Sequence, residues 1–223
     1  MGTDYTNQGE IGRASEYHTR AFELREHASE REKLIITANY YQDVTGELDK
    51  VAQTYQEWIS SYPRDYRAHL DLALMNEDQG LYKEATEESR ESLSLAPDNG
   101  GPYWDLANAL LALQRFDEAR QTIQQAQARK LDNLGLRNAL YAVAFLRGES
   151  AAMAEQQQWF AGQPGYENFG SALAADTESY VGHLGKAREL TKRSVDSAVR
   201  TDSKENVQSG WRIRPCAKQL SGT

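Results

Sequence analysis

The sequence repeats itself every 34 residues. Glycine recurs at one position of this period, as Gly46, Gly80, Gly148 and Gly182, and Gln114 occupies the same position in the remaining repeat. Five residues after each place stands a compact or apolar side chain: Val51, Ala85, Ala119, Met153 and Ala187. Several columns that share one period indicate stacked copies of a single supersecondary unit.

Each repeat has the pattern of two amphipathic helices. In Tyr66–Asp78 and in Tyr82–Ala96, apolar residues recur at spacings of three and four. Glycine between the two helices supplies the left-handed backbone that ends the first one. Pro63 and Pro97, which are also 34 residues apart, cannot continue a helix and mark the end of a repeat. The sequence therefore predicts an all-α protein.

The segments Gly80–Ala85 and Arg115–Ala119 resemble the signature of the tetratricopeptide repeat (TPR) family around its interhelical turn. The resemblance covers roughly residues 9–200 and implies a right-handed α-solenoid of stacked antiparallel helix pairs. It divides the chain into five repeats, at 32–65, 66–99, 100–133, 134–167 and 168–201.

The two ends depart from this pattern. Residues 1–31 resemble the second helix of an upstream repeat, and Met1–Gln8 is too short to supply the first helix of that repeat. Such a half repeat suggests a chain cut from a longer protein. Ser29 and Glu32 are spaced to form a capping box at the start of the next helix. Residues 202–223 lose the helical period and are predicted to be a frayed or capping tail.

Three segments resemble more particular relatives: Ser29–Leu34, Tyr62–Tyr66 and Lys186–Thr191. They are similar to the TPR region that follows the kinase domain in certain bacterial serine/threonine protein kinases, and to regions that follow winged-helix domains in bacterial regulators. This likeness implies the sensor or docking part of a signalling protein. The chain itself has no glycine-rich nucleotide loop, no His-Arg-Asp loop and no Asp-Phe-Gly segment.

Charge and composition exclude several classes of partner. The net charge is −8, with the acidic excess confined to residues 1–191, so the body should repel a phosphate backbone and we expect no nucleic-acid partner. No apolar run approaches the roughly 20 residues that a membrane-spanning helix needs, so we expect no membrane partner. The single cysteine, Cys216, fits a reducing compartment and predicts a cytoplasmic protein.

We expect no catalytic residues, no cofactor and no metal site. The four histidines are scattered and none forms a His-Glu-x-x-His zinc pattern. The segment Gly182–Lys186 has the wrong spacing for a phosphate loop, and its glycine belongs to the repeat turn. The enzymatic part of any parent protein would lie outside these residues.

In TPR arrays the first helices of successive repeats line a concave groove that holds a partner peptide. The columns of the family that face the groove correspond here to Ile36, Tyr40, Asp43, Arg67, Leu70, Leu74, Glu77, Trp104, Asn108, Leu111, Asn138, Ala142 and Phe145. Asn108 is the only polar match to the residues that hold a terminal carboxylate in chaperone-binding relatives. A mixed apolar and acidic groove instead suits a protein or peptide segment with hydrophobic anchors and some basic residues.

Two alternatives remain open from the sequence. Trp104 and Leu74 could be groove hot spots, or Trp104 and Tyr40 could serve packing between repeats. The array could also be a self-association element, a possible homo-oligomer in which exposed end repeats stack on one another.

Overall fold

The computed structural model describes residues 1–163 and 165–200, and within these ranges every regular element is helical. The all-α prediction is confirmed. The α-helices are α1 (Gly2–Gln8), α2 (Ile11–Glu23), α3 (Glu30–Tyr40), α4 (Leu48–Ser61), α5 (Tyr66–Asp78), α6 (Tyr82–Leu95), α7 (Gly100–Ala112), α8 (Phe116–Ala128), α9 (Leu134–Leu146), α10 (Ser150–Ala161), α11 (Glu167–Tyr180) and α12 (Leu184–Arg200). The tail predicted at 202–223, with Cys216, lies outside the described residues.

The helices form two compact bodies. The N-terminal body is Met1–Leu131, and the C-terminal body begins at Asp132. Inside each body every helix packs against the next one along the chain, and in the N-terminal body α5 also contacts α7. Each body is thus a stack of helix pairs. No helix in the described ranges is long and apolar enough to cross a membrane.

Left-handed residues close the first helix of a pair. Gly80, between α5 and α6, has φ of 77°, and Gly148, between α9 and α10, has φ of 69°. Gln114 adopts the same conformation, with φ of 59°, between α7 and α8. The repeat geometry therefore imposes this backbone even where a side chain must be accommodated at a cost of about 1–2 kcal/mol.

The starts of α3 and α5 are capped by the polar residues that precede them. Ser29 and Glu32 form the predicted capping box of α3. The Asp65 side chain accepts a hydrogen bond from the Arg67 N–H at 3.2 Å and so caps α5, and it also accepts one from Trp58 Nε1 at 3.0 Å. Asp65 thereby links the start of α5 to a Trp58 side chain that is almost completely buried.

The N-terminal segment corrects one prediction. Met1–Gln8, predicted to be too short for a partner helix, forms the seven-residue helix α1, which packs against α2. Isolated helices of this length are unstable in water, so tertiary contacts must hold α1 in place. Gly2 supplies one of them, since a Cβ built at Gly2 would lie 2.7 Å from the His18 ring.

Each body has its own core. In the N-terminal body, alanines such as Ala73, Ala85 and Ala119 are fully buried, which lets helices approach closely. In the C-terminal body, Tyr141, Phe160 and Leu173 form the core, with Trp159 and Phe169 packed against them. There Gly170 provides the close approach, because an added Cβ would lie 2.6 Å from Cβ of Phe160.

Candidate functional site

The predicted groove residues of the N-terminal body come from α3, the turn after it, α5 and α7. The two large apolar side chains among them with the greatest exposure are Trp104 at 42 % and Leu74 at 41 %. Arg67 is exposed, whereas Ile36, Leu70 and Asn108 are half-buried. Leu111 is only 8 % exposed and belongs mainly to the core. We call the surface formed by α3, α5 and α7 the first-helix face.

Two of the predicted groove residues are already occupied by contacts within the chain. The Tyr40 ring stacks on Phe22 of α2, with centroids 4.0 Å apart and planes 11° from parallel. Asp43 lies in a π-helical turn, Tyr41–Thr45, where its carboxylate accepts a hydrogen bond from Thr6 Oγ1 at 2.8 Å and lies 3.0 Å from His18 Nε2. These two residues therefore connect α3 and its turn to α1 and α2.

Three carboxyl groups on α5 and α7 form what we call the acidic cluster: Asp71, Glu77 and Asp105. Burial raises the pKa of Asp71 to about 6 and that of Asp105 to about 7, in the second case with the charge of Asp71 adding to the effect. Burial, followed by the charges of Asp105 and Asp78, raises the pKa of Glu77 to about 8. Asp105 thus interacts electrostatically with both other members.

Two members of the acidic cluster, Asp105 and Glu77 at its Oε1 atom, have no hydrogen-bond partner within the part of the chain that the structure describes. Asp105 is 3 % exposed, and no hydrogen bond or ion pair to it forms among these residues. Glu77 Oε1 is buried and also has no hydrogen-bond partner there. Leaving a buried polar atom unpaired costs about 1–3 kcal/mol. The unpaired Glu77 Oε1 therefore destabilises the folded chain when no ligand is bound.

Sequence reasoning placed Glu77 in the groove and missed Asp71 and Asp105. A signal was present, because these two residues are 34 residues apart and so occupy the same column of successive repeats. Aspartate inside a helix is also unusual, since its side chain competes for backbone hydrogen bonds and favours caps and turns. The columns that are expected to face a ligand do not include Asp71 and Asp105, so neither residue was predicted.

The remaining predicted groove residues, Asn138, Ala142 and Phe145, lie on α9 of the C-terminal body and are half-buried. The Phe145 ring makes an edge contact with Tyr180 of α11, with centroids 5.1 Å apart. Part of the Phe145 surface is therefore engaged in packing inside its own body.

Metal binding finds no support in this geometry. Across residues 1–163 and 165–200, no group of three or more His, Cys, Asp or Glu side chains is placed to hold a metal ion. The acidic cluster is therefore not arranged as a set of metal ligands.

Comparison with known proteins identifies the repeat. Residues 76–143, from the last turn of α5 into α9, match the family model of the tetratricopeptide repeat. This central part of the chain is of the tetratricopeptide type, and the helix pairs on either side of it continue the same kind of helical repeat. Repeats of this type are typical of protein-interaction scaffolds, because stacked helix pairs expose a long continuous face.

Solved structures share the TPR fold over most of the chain. A tetratricopeptide repeat protein from Parabacteroides merdae ATCC 43184 aligns with a TM-score of 0.65 at 12 % identity, over 96 % of this chain and 90 % of that one. The protein MamA aligns with a TM-score of 0.58 at 17 % identity, over 74 % of this chain and 96 % of MamA. At these identities the likeness concerns the fold.

Proposed function

We propose that this TPR protein is a non-catalytic scaffold that binds a polypeptide segment on the first-helix face of its N-terminal body. The observation that carries the proposal is the exposure of Trp104 and Leu74 on α7 and α5. A few residues supply most of the binding energy where proteins meet, and tryptophan is enriched among them.

The surroundings of these two residues support the same reading. Half-buried Leu70 on α5 and Asn108 on α7 belong to the same face, and the acidic cluster lies on the same two helices. Such a face offers apolar anchor points together with negative charge. It suits an extended or helical segment with hydrophobic anchors, and it is unsuited to nucleic acid, which carries the same sign of charge.

The test uses the full chain and a phage-displayed library of random twelve-residue peptides. Peptides selected by the wild-type protein are synthesised, and their affinity for the double variant Leu74→Ala/Trp104→Ala is measured by calorimetry. We expect a loss of at least about tenfold, which corresponds to about 1.4 kcal/mol. Thermal melting should change less than for a core substitution, because more than 40 % of each residue is exposed to solvent.

Leu81→Ala is the matched control, because Leu81 is 42 % exposed but lies outside the first helices, at the start of α6. It should leave peptide affinity within about twofold of wild type. Failure to select any peptide, or equal losses in the control and the double variant, would contradict the proposal. A large drop in melting temperature in the double variant would instead assign Trp104 and Leu74 to packing.

Self-association is a second candidate, favoured by exposed apolar side chains on α11 and α12. Tyr180 is 72 % exposed, Leu184 57 % and Val199 68 %. If two copies bury these side chains against each other, light scattering over a range of concentrations should show dimers, and Leu184→Lys should shift the chain to monomers. A wild-type chain that stays monomeric at high concentration would rule this candidate out.

We also propose that the scaffold acts as the sensor or docking part of a bacterial signalling protein in the cytoplasm. This proposal rests on the likeness of Ser29–Leu34, Tyr62–Tyr66 and Lys186–Thr191 to TPR regions of kinases and regulators. Reading the gene upstream of Met1 tests it. A kinase or winged-helix domain in the same frame is the expected result, and a stop codon directly upstream would contradict it.

A further inference from the structure

The acidic cluster is unusual because its position in the repeat does not require acidic residues. The column that holds Asp71 and Asp105 continues in the C-terminal body with Ala139 and Leu173, which are 1 % and 7 % exposed. Apolar residues therefore satisfy the packing of this column. Carboxyl groups in the same place must be desolvated, and desolvation disfavours their charged forms.

The chain supplies little positive charge to offset these carboxyl groups. Arg67 acts on Asp71 from one turn earlier on α5, and it is exposed. The other charges acting on the cluster are acidic, namely Asp65 on Asp71 and Asp78 on Glu77. Asp105 is buried, has no hydrogen-bond partner among the described residues and interacts electrostatically with two further carboxyl groups, so it is the complement of a cation.

A lysine or arginine side chain has the chemistry that this site lacks. Its charged end can donate several hydrogen bonds to carboxylate oxygens, and such charge-assisted bonds are about twice as strong as neutral ones. Its aliphatic stem can lie along apolar surface while the charge reaches inward. Leu70, Leu74 and Trp104 provide apolar surface on the same two helices.

We propose that the acidic cluster receives the charged end of one lysine or arginine side chain of the bound polypeptide. This inference rests on the proposed function and specifies what the peptide must contain. Asp105 is its central group, because it is the most deeply buried member and interacts with both Asp71 and Glu77. The exposed apolar residues then serve as anchors for the neighbouring residues of the peptide.

The experiment compares the phage-displayed peptides selected by the wild-type full chain with those selected by Asp105→Asn. Wild type should enrich peptides with lysine or arginine at one fixed position relative to the apolar anchors. Asp105→Asn should keep the apolar preference and lose the basic one. The control Asp49→Asn removes an exposed carboxylate on α4 and should select the same peptides as wild type.

A second measurement isolates the charge. In the tightest wild-type peptide, lysine is replaced by norleucine, which keeps the aliphatic stem and removes the ammonium group. Affinity for wild type should fall at least about tenfold, and affinity for Asp105→Asn should fall less than about twofold. For the original peptide, wild-type affinity should also weaken between pH 8 and pH 5.5, because protons and the ammonium group compete for the same carboxylates.

The outcomes separate the two proposals. Selection of peptides without a fixed basic position overturns the cation site and leaves peptide binding on this face intact. An equal effect of norleucine on wild type and Asp105→Asn also overturns it. Absence of any selected peptide contradicts the proposed function and the cation site together. Circular dichroism melting of Asp105→Asn establishes that the comparison is made between folded chains.

Discussion

Both bodies bury polar side chains on their first helices, but only one provides them with partners. In the C-terminal body, the buried Tyr141 hydroxyl lies 2.7 Å from Thr177 Oγ1, donates to the Leu173 carbonyl at 3.3 Å and accepts from Gln157 Nε2 at 3.2 Å. In the N-terminal body, Asp105 is as deeply buried and receives no such bond from the described residues.

This difference separates a structural polar group from one that is available to a ligand. A satisfied network such as that of Tyr141 stabilises a unique arrangement of α9, α10 and α11. An unpaired ionised carboxyl group lowers the stability of the fold, and this cost is relieved when the group is protonated or when a cation reaches it. Variants can therefore test the comparison, because the two kinds of site should respond with opposite signs.

The largest effect is expected from Ala119→Arg, which places a charge at a fully buried position of the N-terminal body. The closely packed helices leave no space for the side chain, and the charge would have no partner. We expect a loss of about 4 kcal/mol or more in the free energy of unfolding. Urea denaturation measures the loss, and hydrogen exchange should place it within residues 1–131.

Gln121→Arg on the same helix α8 is the control, because Gln121 is exposed. It adds the same charge and should change stability by less than about 0.5 kcal/mol. Full helicity and an unchanged melting curve in Ala119→Arg would show that the repeat register assigned to the N-terminal body is wrong.

Gly170→Ala tests the tight contact of the C-terminal body. The new Cβ would lie 2.6 Å from Cβ of Phe160, so α10 and α11 must move apart. Overpacking of this kind costs about 1–3 kcal/mol, measured by urea denaturation. Gly185→Ala on α12 meets nothing within 4 Å and should raise stability by about 0.5–1 kcal/mol. Equal effects of the two substitutions would contradict the close approach.

Asp105→Asn should stabilise the free protein at alkaline pH. Burial raises the pKa of Asp105 to about 7, whereas an aspartate in an unfolded chain titrates near ~3.9. Between these values the folded state binds more protons, so the free energy of unfolding falls as pH rises. At pH 8 the variant should exceed wild type by about 4 kcal/mol, since the two pKa values differ by about three units, and at pH 4 the two should nearly agree.

Urea titrations at both pH values measure this difference, with Asp49→Asn as the control for loss of an exposed charge. Because Asp71 and Glu77 have raised pKa values as well, the variant should weaken the pH dependence of stability without abolishing it. An unchanged pH dependence would mean that Asp105 is already ionised in the free protein.

Tyr141→Phe should have the opposite sign and a smaller magnitude. Loss of the hydroxyl leaves its partners on α10 and α11 unpaired, and we expect a cost of about 1 kcal/mol by urea denaturation. Tyr180→Phe removes a hydroxyl from a residue that is 72 % exposed, and it should be neutral within error. A stabilising Tyr141→Phe would remove the distinction between satisfied and unsatisfied sites.

The helix pairs could be predicted from the sequence because their determinants are local. Gly80 ends a first helix through its own backbone, and a compact or apolar residue such as Ala85 stands five residues after this position in each repeat, so a period reveals both. Helix α1 could not be predicted this way, since it depends on tertiary contacts. It packs against α2, and its Thr6 bonds to Asp43, which is 37 residues further along the chain.

The groove was predicted less completely than the fold. Trp104 and Leu74 are exposed on the first helices, as the family columns imply, although their role in binding remains a prediction. Leu111 is buried, and Tyr40 packs on Phe22. Whether a carboxyl group such as that of Asp105 is buried depends on neighbouring helices, which a single sequence does not display.

The contacts of α1 and α2 with Asp43 affect how truncated forms of the chain should behave. A fragment that starts at Ser29 would lack Thr6 and His18 and would release this carboxylate. Asp43 and Asp71 both act electrostatically on the Tyr55 hydroxyl, so a freed Asp43 would add negative charge near α3. Trimmed versions would then overstate the preference for basic peptides, and affinities should be compared only between chains with the same starting residue.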